Sequence, residues 1–168
     1  MIGYTITIAS LVPTVLLALY QISGEKINPI YWLLQSGVLF TTFIALLIVF
    51  MYLVQNRLYF IYLARQLNAI RRYFLEQNSD FKNNQMYTDY EFSGFKWMST
   101  HILILIGVAI IASIFWIGAL FSFAVYLGLN HNYWISLVSG IIIFVVIIIR
   151  SKYYLSEKSK KSADNAVH

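Results

Sequence analysis

The thirty residues from Met98 to Leu127, MSTHILILIGVAIIASIFWIGALFSFAVYL, contain no Asp, Glu, Lys or Arg. A helix rises about 1.5 Å per residue, so about 20 residues cross the hydrocarbon core of a bilayer and this stretch is long enough with residues to spare. Backbone polar groups in hydrocarbon are satisfied only by bonding within the segment, which makes such a span a helix. Three more stretches, Ile2 to Tyr20, Tyr31 to Leu53 and Tyr133 to Ile149, are equally free of charged residues. The expected fold class is therefore all-α: an integral membrane protein with four transmembrane helices and a cytoplasmic extension of the second. Residues 1–53 would form one transmembrane hairpin, 54–97 an amphipathic cytoplasmic helix with an aromatic-rich loop, 98–149 a second hairpin, and 150–168 a basic tail expected to be disordered in its last part.

Composition agrees with that reading. Of 168 residues, 60% are hydrophobic and 11% charged, more apolar surface than one water-soluble domain can bury. The net charge of +5 comes from too few charges to build a broad cationic face, so nucleic acid is not an expected partner. With no cysteine, thiol catalysis, disulfides and thiolate metal sites are excluded. The first helix lacks the basic residue and small-residue cleavage site of a secretory signal, and is read as retained.

Basic residues set the orientation, because Lys and Arg stay on the cytoplasmic side during insertion. Lys26 alone lies in the first loop. Arg57, Arg65, Arg71, Arg72, Lys82 and Lys96 lie in the second, and Arg150, Lys152, Lys158, Lys160 and Lys161 in the tail. Both termini and residues 56–97 are expected in the cytoplasm, and the expected location is a bacterial inner membrane. Tyr20, Tyr31, Trp32, Tyr126, Tyr133 and Trp134 would mark the outer interface, with Tyr52, Trp97, Tyr153 and Tyr154 at the inner one. Asn28, Tyr31, Trp32, Ser36 and Gly37 recur as Asn130, Tyr133, Trp134, Ser139 and Gly140. A duplicated hairpin would produce that echo, and so would the common habit of an Asn cap and an aromatic pair at an interface, which is the stronger explanation.

Charged residues inside a membrane mark proton relays and ion paths, and these spans have none. His101, beside Ser99 and Thr100, reads as an amphipathic interfacial residue, and the three histidines at 101, 131 and 168 are too scattered for a metal site. No phosphate-binding or nucleophile-elbow motif is present. No enzymatic activity, cofactor or metal is expected.

The informative region lies past the second span. From Asn56 to Asn78 there is no Gly or Pro, so the helix can continue to about Gln77. Along it Phe60, Leu63, Leu67, Ile70 and Phe74 follow the three-four spacing of a seam that packs on another helix. Arg57, Arg65 and Arg72 gather on the opposite arc, so Leu67 is expected to be buried and Arg65 to lie on the solvated side. The seam could pack within the subunit, on Phe81 to Trp97 or on the tail near Tyr153 and Leu155. It could instead meet other copies in a homo-oligomer, or lie on anionic lipid. The segment Ser79–Gly94, with Asp80, Asp89 and Glu91 among Phe81, Met86, Tyr87, Tyr90 and Phe92, is expected to fold back on the helix or the membrane. Small residues four apart, Ala109 with Ser113, Gly118 with Ser122 and Ser136 with Gly140, mark expected helix contacts.

Two functional classes fit. One is a non-enzymatic membrane accessory or scaffold that docks a cytoplasmic protein partner through the extension. The other is an oligomeric pore or membrane-perturbing effector, which needs a wet polar lining. Candidate lining residues are Thr7, Ser10, Thr14 and Gln35, although hydroxyls can bond to their own helix instead. The missing intramembrane charges favour the scaffold.

Overall fold

A computed structural model describes residues 2–23, 29–77, 95–129 and 133–164; within these helices the side chains at 2, 4–6, 8–9, 23, 68–69, 71–77 and 161–164 are left aside. The chain is all-helical among the described residues: α1 is Ile2–Ser23, α2 Pro29–Gln77, α3 Thr100–Tyr126 and α4 Tyr133–Asp164. Three of them, α2, α3 and α4, are long and apolar enough to cross a membrane. In α1 the apolar portion Ser10–Ile22 is shorter, and Pro13 interrupts its backbone ladder.

The helix ends follow from local chemistry. Pro29 opens α2, where its missing N–H falls among groups with no intrahelical acceptor. Ser99 caps α3, its Oγ accepting from the Ile102 N–H at 3.4 Å. At the other end of α3, the Leu129 N–H donates to the Ala124 carbonyl at 2.8 Å and the Gly128 N–H to the Val125 carbonyl at 3.0 Å. That pair of bonds is a Schellman stop, which needs a residue at positive φ, and Gly128 supplies φ 75° without a Cβ in the way.

The chain forms two compact units. The first comprises Met1–Met51 and Leu105–Ile148. Among the described residues its core includes Val12, Leu39 and Ala119, with Leu16, Val38 and Phe115 against them, and Phe43, Leu46 and Ala112, with Leu47, Ile111, Trp116 and Ile143. The small residues mark contact faces as expected: Ala109, Ser113, Ser122, Ser136 and Gly140 are buried. A Cβ at Gly140 would collide with the Ile117 side chain, so only glycine permits this approach of α4 to α3. Polar bonds also cross between helices. Ser36 Oγ donates to the Ala119 carbonyl at 2.9 Å, and Trp116 Nε1 to Ser139 Oγ at 3.2 Å. Large apolar side chains face outward, among them Ile48, Ile114, Ile135 and Ile141.

The second unit comprises Tyr52–Ile104 and Ile149–His168. Among its described residues Val54, Leu58, Ile61, Ile102 and Leu155 are buried, and Arg57, Arg65, Ser151 and Ser159 are buried with them. Residues 165–168, the last part of the tail, lie outside the described residues, and up to Asp164 the tail continues α4 as helix through its polar residues. The reason is spacing: Ser151, Leu155 and Ser159 recur every four residues, which gives the tail a buried face beneath its lysines. The expectation for Ser79–Gly94 lies outside the described residues, as do the readings of Asn28, Asn130, His131 and His168.

Candidate functional site

The extension of α2 is continuous helix to Gln77, as its freedom from Gly and Pro predicts. Its two arcs, however, face opposite to expectation. Arg57 and Arg65 point into the second unit, whereas Phe60, Leu63, Leu67 and Ile70 are exposed, Leu67 at 45% against Arg65 at 7%. Of the remaining predicted positions, the side chains of Phe74 and Arg72 lie outside the described set.

Side-chain reach and the character of α4 explain the inversion. Arginine has an apolar stem that packs and a fork of donors that needs acceptors. The buried α4 face carries two serines, small enough to admit the stem, and Arg65 Nη1 donates to the Ser159 carbonyl. Arg57 and Arg65 are eight residues apart, and so are Ser151 and Ser159, so long and short side chains alternate at matching intervals on the two helices. The tail thus meets α2 along the arginine arc and leaves the apolar stripe uncovered by it. Sequence reasoning missed Ser151, Leu155 and Ser159 because lysines around them made the tail read as solvated. Their four-residue spacing was the available signal.

At the start of the stripe Phe60 stacks on His101, with ring centroids 5.8 Å apart and planes 21° from parallel. The Arg57 guanidinium lies 5.7 Å from the same ring. His101 is therefore held against an aromatic face.

The candidate pore residues lie in the first unit. Thr7, Ser10 and Thr14 are exposed, and each hydroxyl donates to a carbonyl of its own helix: Thr7 to Gly3 at 2.8 Å, Ser10 to Thr7 at 3.0 Å and Thr14 to Ser10 at 3.5 Å. Thr41 and Thr42 do the same toward Gly37 and Val38. Hydroxyls so engaged spend their one donor on their own backbone and keep only acceptor capacity toward water. Gln35 differs, being partly buried with an Oε1 that is enclosed and accepts no hydrogen bond. Among the described residues no three His, Asp or Glu side chains come together to hold a metal ion.

No known family model matches the chain, and no curated protein or solved structure is significantly similar to it. Any functional reading rests on these residues alone.

Proposed function

We propose that this is a non-enzymatic multi-pass membrane protein that acts as an accessory or scaffold, docking a cytoplasmic protein on the extension of α2. The observation that carries the reading is the exposed stripe Phe60, Leu63, Leu67 and Ile70, set on the arc opposite buried arginines. Exposing apolar residues while burying charged ones is unfavourable in water unless something else covers the apolar arc. Four spans, with α1 included, place both termini and the extension in the cytoplasm by the distribution of basic residues, and a bacterial inner membrane is the setting this fits. The outward isoleucines of the first unit suit lipid, since only a minority of residues in the apolar windows of α2, α3 and α4 are buried, 33%, 39% and 22%. The pore reading loses support, because the hydroxyls it needs are engaged with their own backbone.

Photo-crosslinking from Leu63, Leu67 and Ile70 in native membranes tests the docking surface. The expected product is one hetero-adduct of defined mass from all three positions and none from Tyr153. An adduct at twice the chain mass would replace the partner by a second copy. Absence of any adduct from the stripe would sink the proposal. Topology is tested separately with a phosphatase reporter, expected to be active after Gly24 and silent after His168; the reverse would overturn the orientation.

A further inference from the structure

One exposed cluster in the second unit plays no part in the docking surface. Trp97 is 53% exposed and Met98 84%, two residues and one residue before the Ser99 cap of α3. The Lys152 ammonium stands 5.8 Å from the Trp97 ring centroid, three residues beyond Ile149, the last residue of the uncharged run in α4. Lys96, also exposed, adjoins Trp97 in the chain. The cluster therefore sits where the apolar runs of α3 and α4 both give way to charge.

We propose that Lys96, Trp97, Met98 and Lys152 form a binding site for the phosphate-bearing headgroup of an anionic phospholipid. An indole face orders an ammonium without neutralising it, so a lysine held on Trp97 can still meet a ligand's phosphate. Among the described residues Glu157 is the single acidic side chain, against seven basic ones, and it lies five residues beyond Lys152 along α4 and about 140° around it. Lys96 adds a second cation. Trp97 and Met98 add apolar surface of the kind that rests at headgroup level, with the ring against glycerol and the thioether against the first methylenes. A free phosphate ion would use the two ammonium groups and leave the apolar pair idle, whereas a phospholipid uses all four residues. The inference rests on the membrane insertion proposed above and is independent of any docked protein.

The test uses the full chain in nanodiscs of phosphatidylcholine mixed with phosphatidylglycerol as the anionic lipid. Lipid retained after ejection is identified by native mass spectrometry. Retained phosphatidylglycerol is expected to fall about fivefold for Lys152→Gln and further for Lys96→Gln with Lys152→Gln, since each basic residue contributes a factor of that order at a membrane surface. Trp97→Phe should keep most of the retention and Trp97→Ala should not. Lys158→Gln with Lys160→Gln, which removes the same charge elsewhere on α4, should leave retention unchanged. Equal loss in that control would reduce the effect to general attraction and overturn the site. Displacement of the lipid by millimolar inorganic phosphate would assign the site to a soluble anion instead. Failure of the chain to co-elute with nanodisc lipid would overturn the insertion reading itself, and is scored before any lipid is weighed.

Discussion

The two units solve the same problem, holding long helices side by side, with opposite side chains. In the first unit Ala109, Ala112, Ala119 and Gly140 bring backbones close, and Ser113 and Ser122 return their hydroxyls to carbonyls four residues back. In the second unit a buried arginine reaches from α2 to a carbonyl of α4. Small residues work where close packing is the main attraction between helices, as it is in lipid. Arginine works where its stem can be buried and its donors met. The contrast teaches that hydrophobicity alone does not reveal which arc of a helix is the inner one; the acceptors offered by its neighbour decide it.

The comparison breaks most visibly at Arg65. Arg65→Ala removes a buried stem and its bond across to the Ser159 carbonyl, an expected loss of about 2–3 kcal/mol in the second unit. Arg65→Met fills most of the same volume and is expected to recover a large part of that loss, because a buried charge contributes less than its packing. Limited proteolysis of the α4 end in detergent reads both. If the alanine variant is as resistant as the parent, the tail is not held by this arginine.

In the first unit the matching experiment is Gly140→Ala. The added methyl meets Ile117, a β-branched side chain with little rotamer freedom, and is expected to cost about 1–3 kcal/mol. Ile117→Ala in the same chain removes the colliding atoms, so the double variant should lose less than the sum of the two single changes. Additive losses, measured by thermal denaturation in detergent, would mean that α3 and α4 do not approach there. A smaller effect is expected of Ser36→Ala, which removes the bond to the Ala119 carbonyl: about 0.6 kcal/mol, the average for such bonds between helices in membranes. A loss several times that size would give the polar crossing a larger share in holding the unit than packing has.

Much of this was legible in the sequence. Runs without charge, such as Met98 to Leu127, announce helices because hydrocarbon tolerates little else, and the small-residue pairs of α3 and α4 point to real contact faces. The stripe from Phe60 to Ile70 was legible as a periodic apolar arc. Its direction was not, because a period is a property of one helix and direction is a property of a pair. The partner, α4 past Ile149, was hidden by Lys152, Lys158 and Lys160, which occupy exposed positions around buried Ser151, Leu155 and Ser159. The hydroxyls of α1 were ambiguous for a different reason: a threonine that lines water and one that bonds its own backbone have identical sequences.

The smallest expected change in stability is also the sharpest test of the contrast. Leu67 stands two residues from Arg65 on the same helix, 45% exposed where Arg65 is 7%. If hydrophobicity decided the inner arc, Leu67→Asp would place a charge in a packed interface at a cost of several kcal/mol. With the arcs as observed, the aspartate meets solvent, and the expected change is within about 0.5 kcal/mol, as for surface substitutions generally. Docking should respond differently, since a carboxylate in the centre of an apolar stripe must be desolvated by anything that covers it. The variant should therefore match the parent in proteolysis and melting while losing the crosslink from Leu63. Loss of both together would turn the stripe inward and return Arg65 to the solvent.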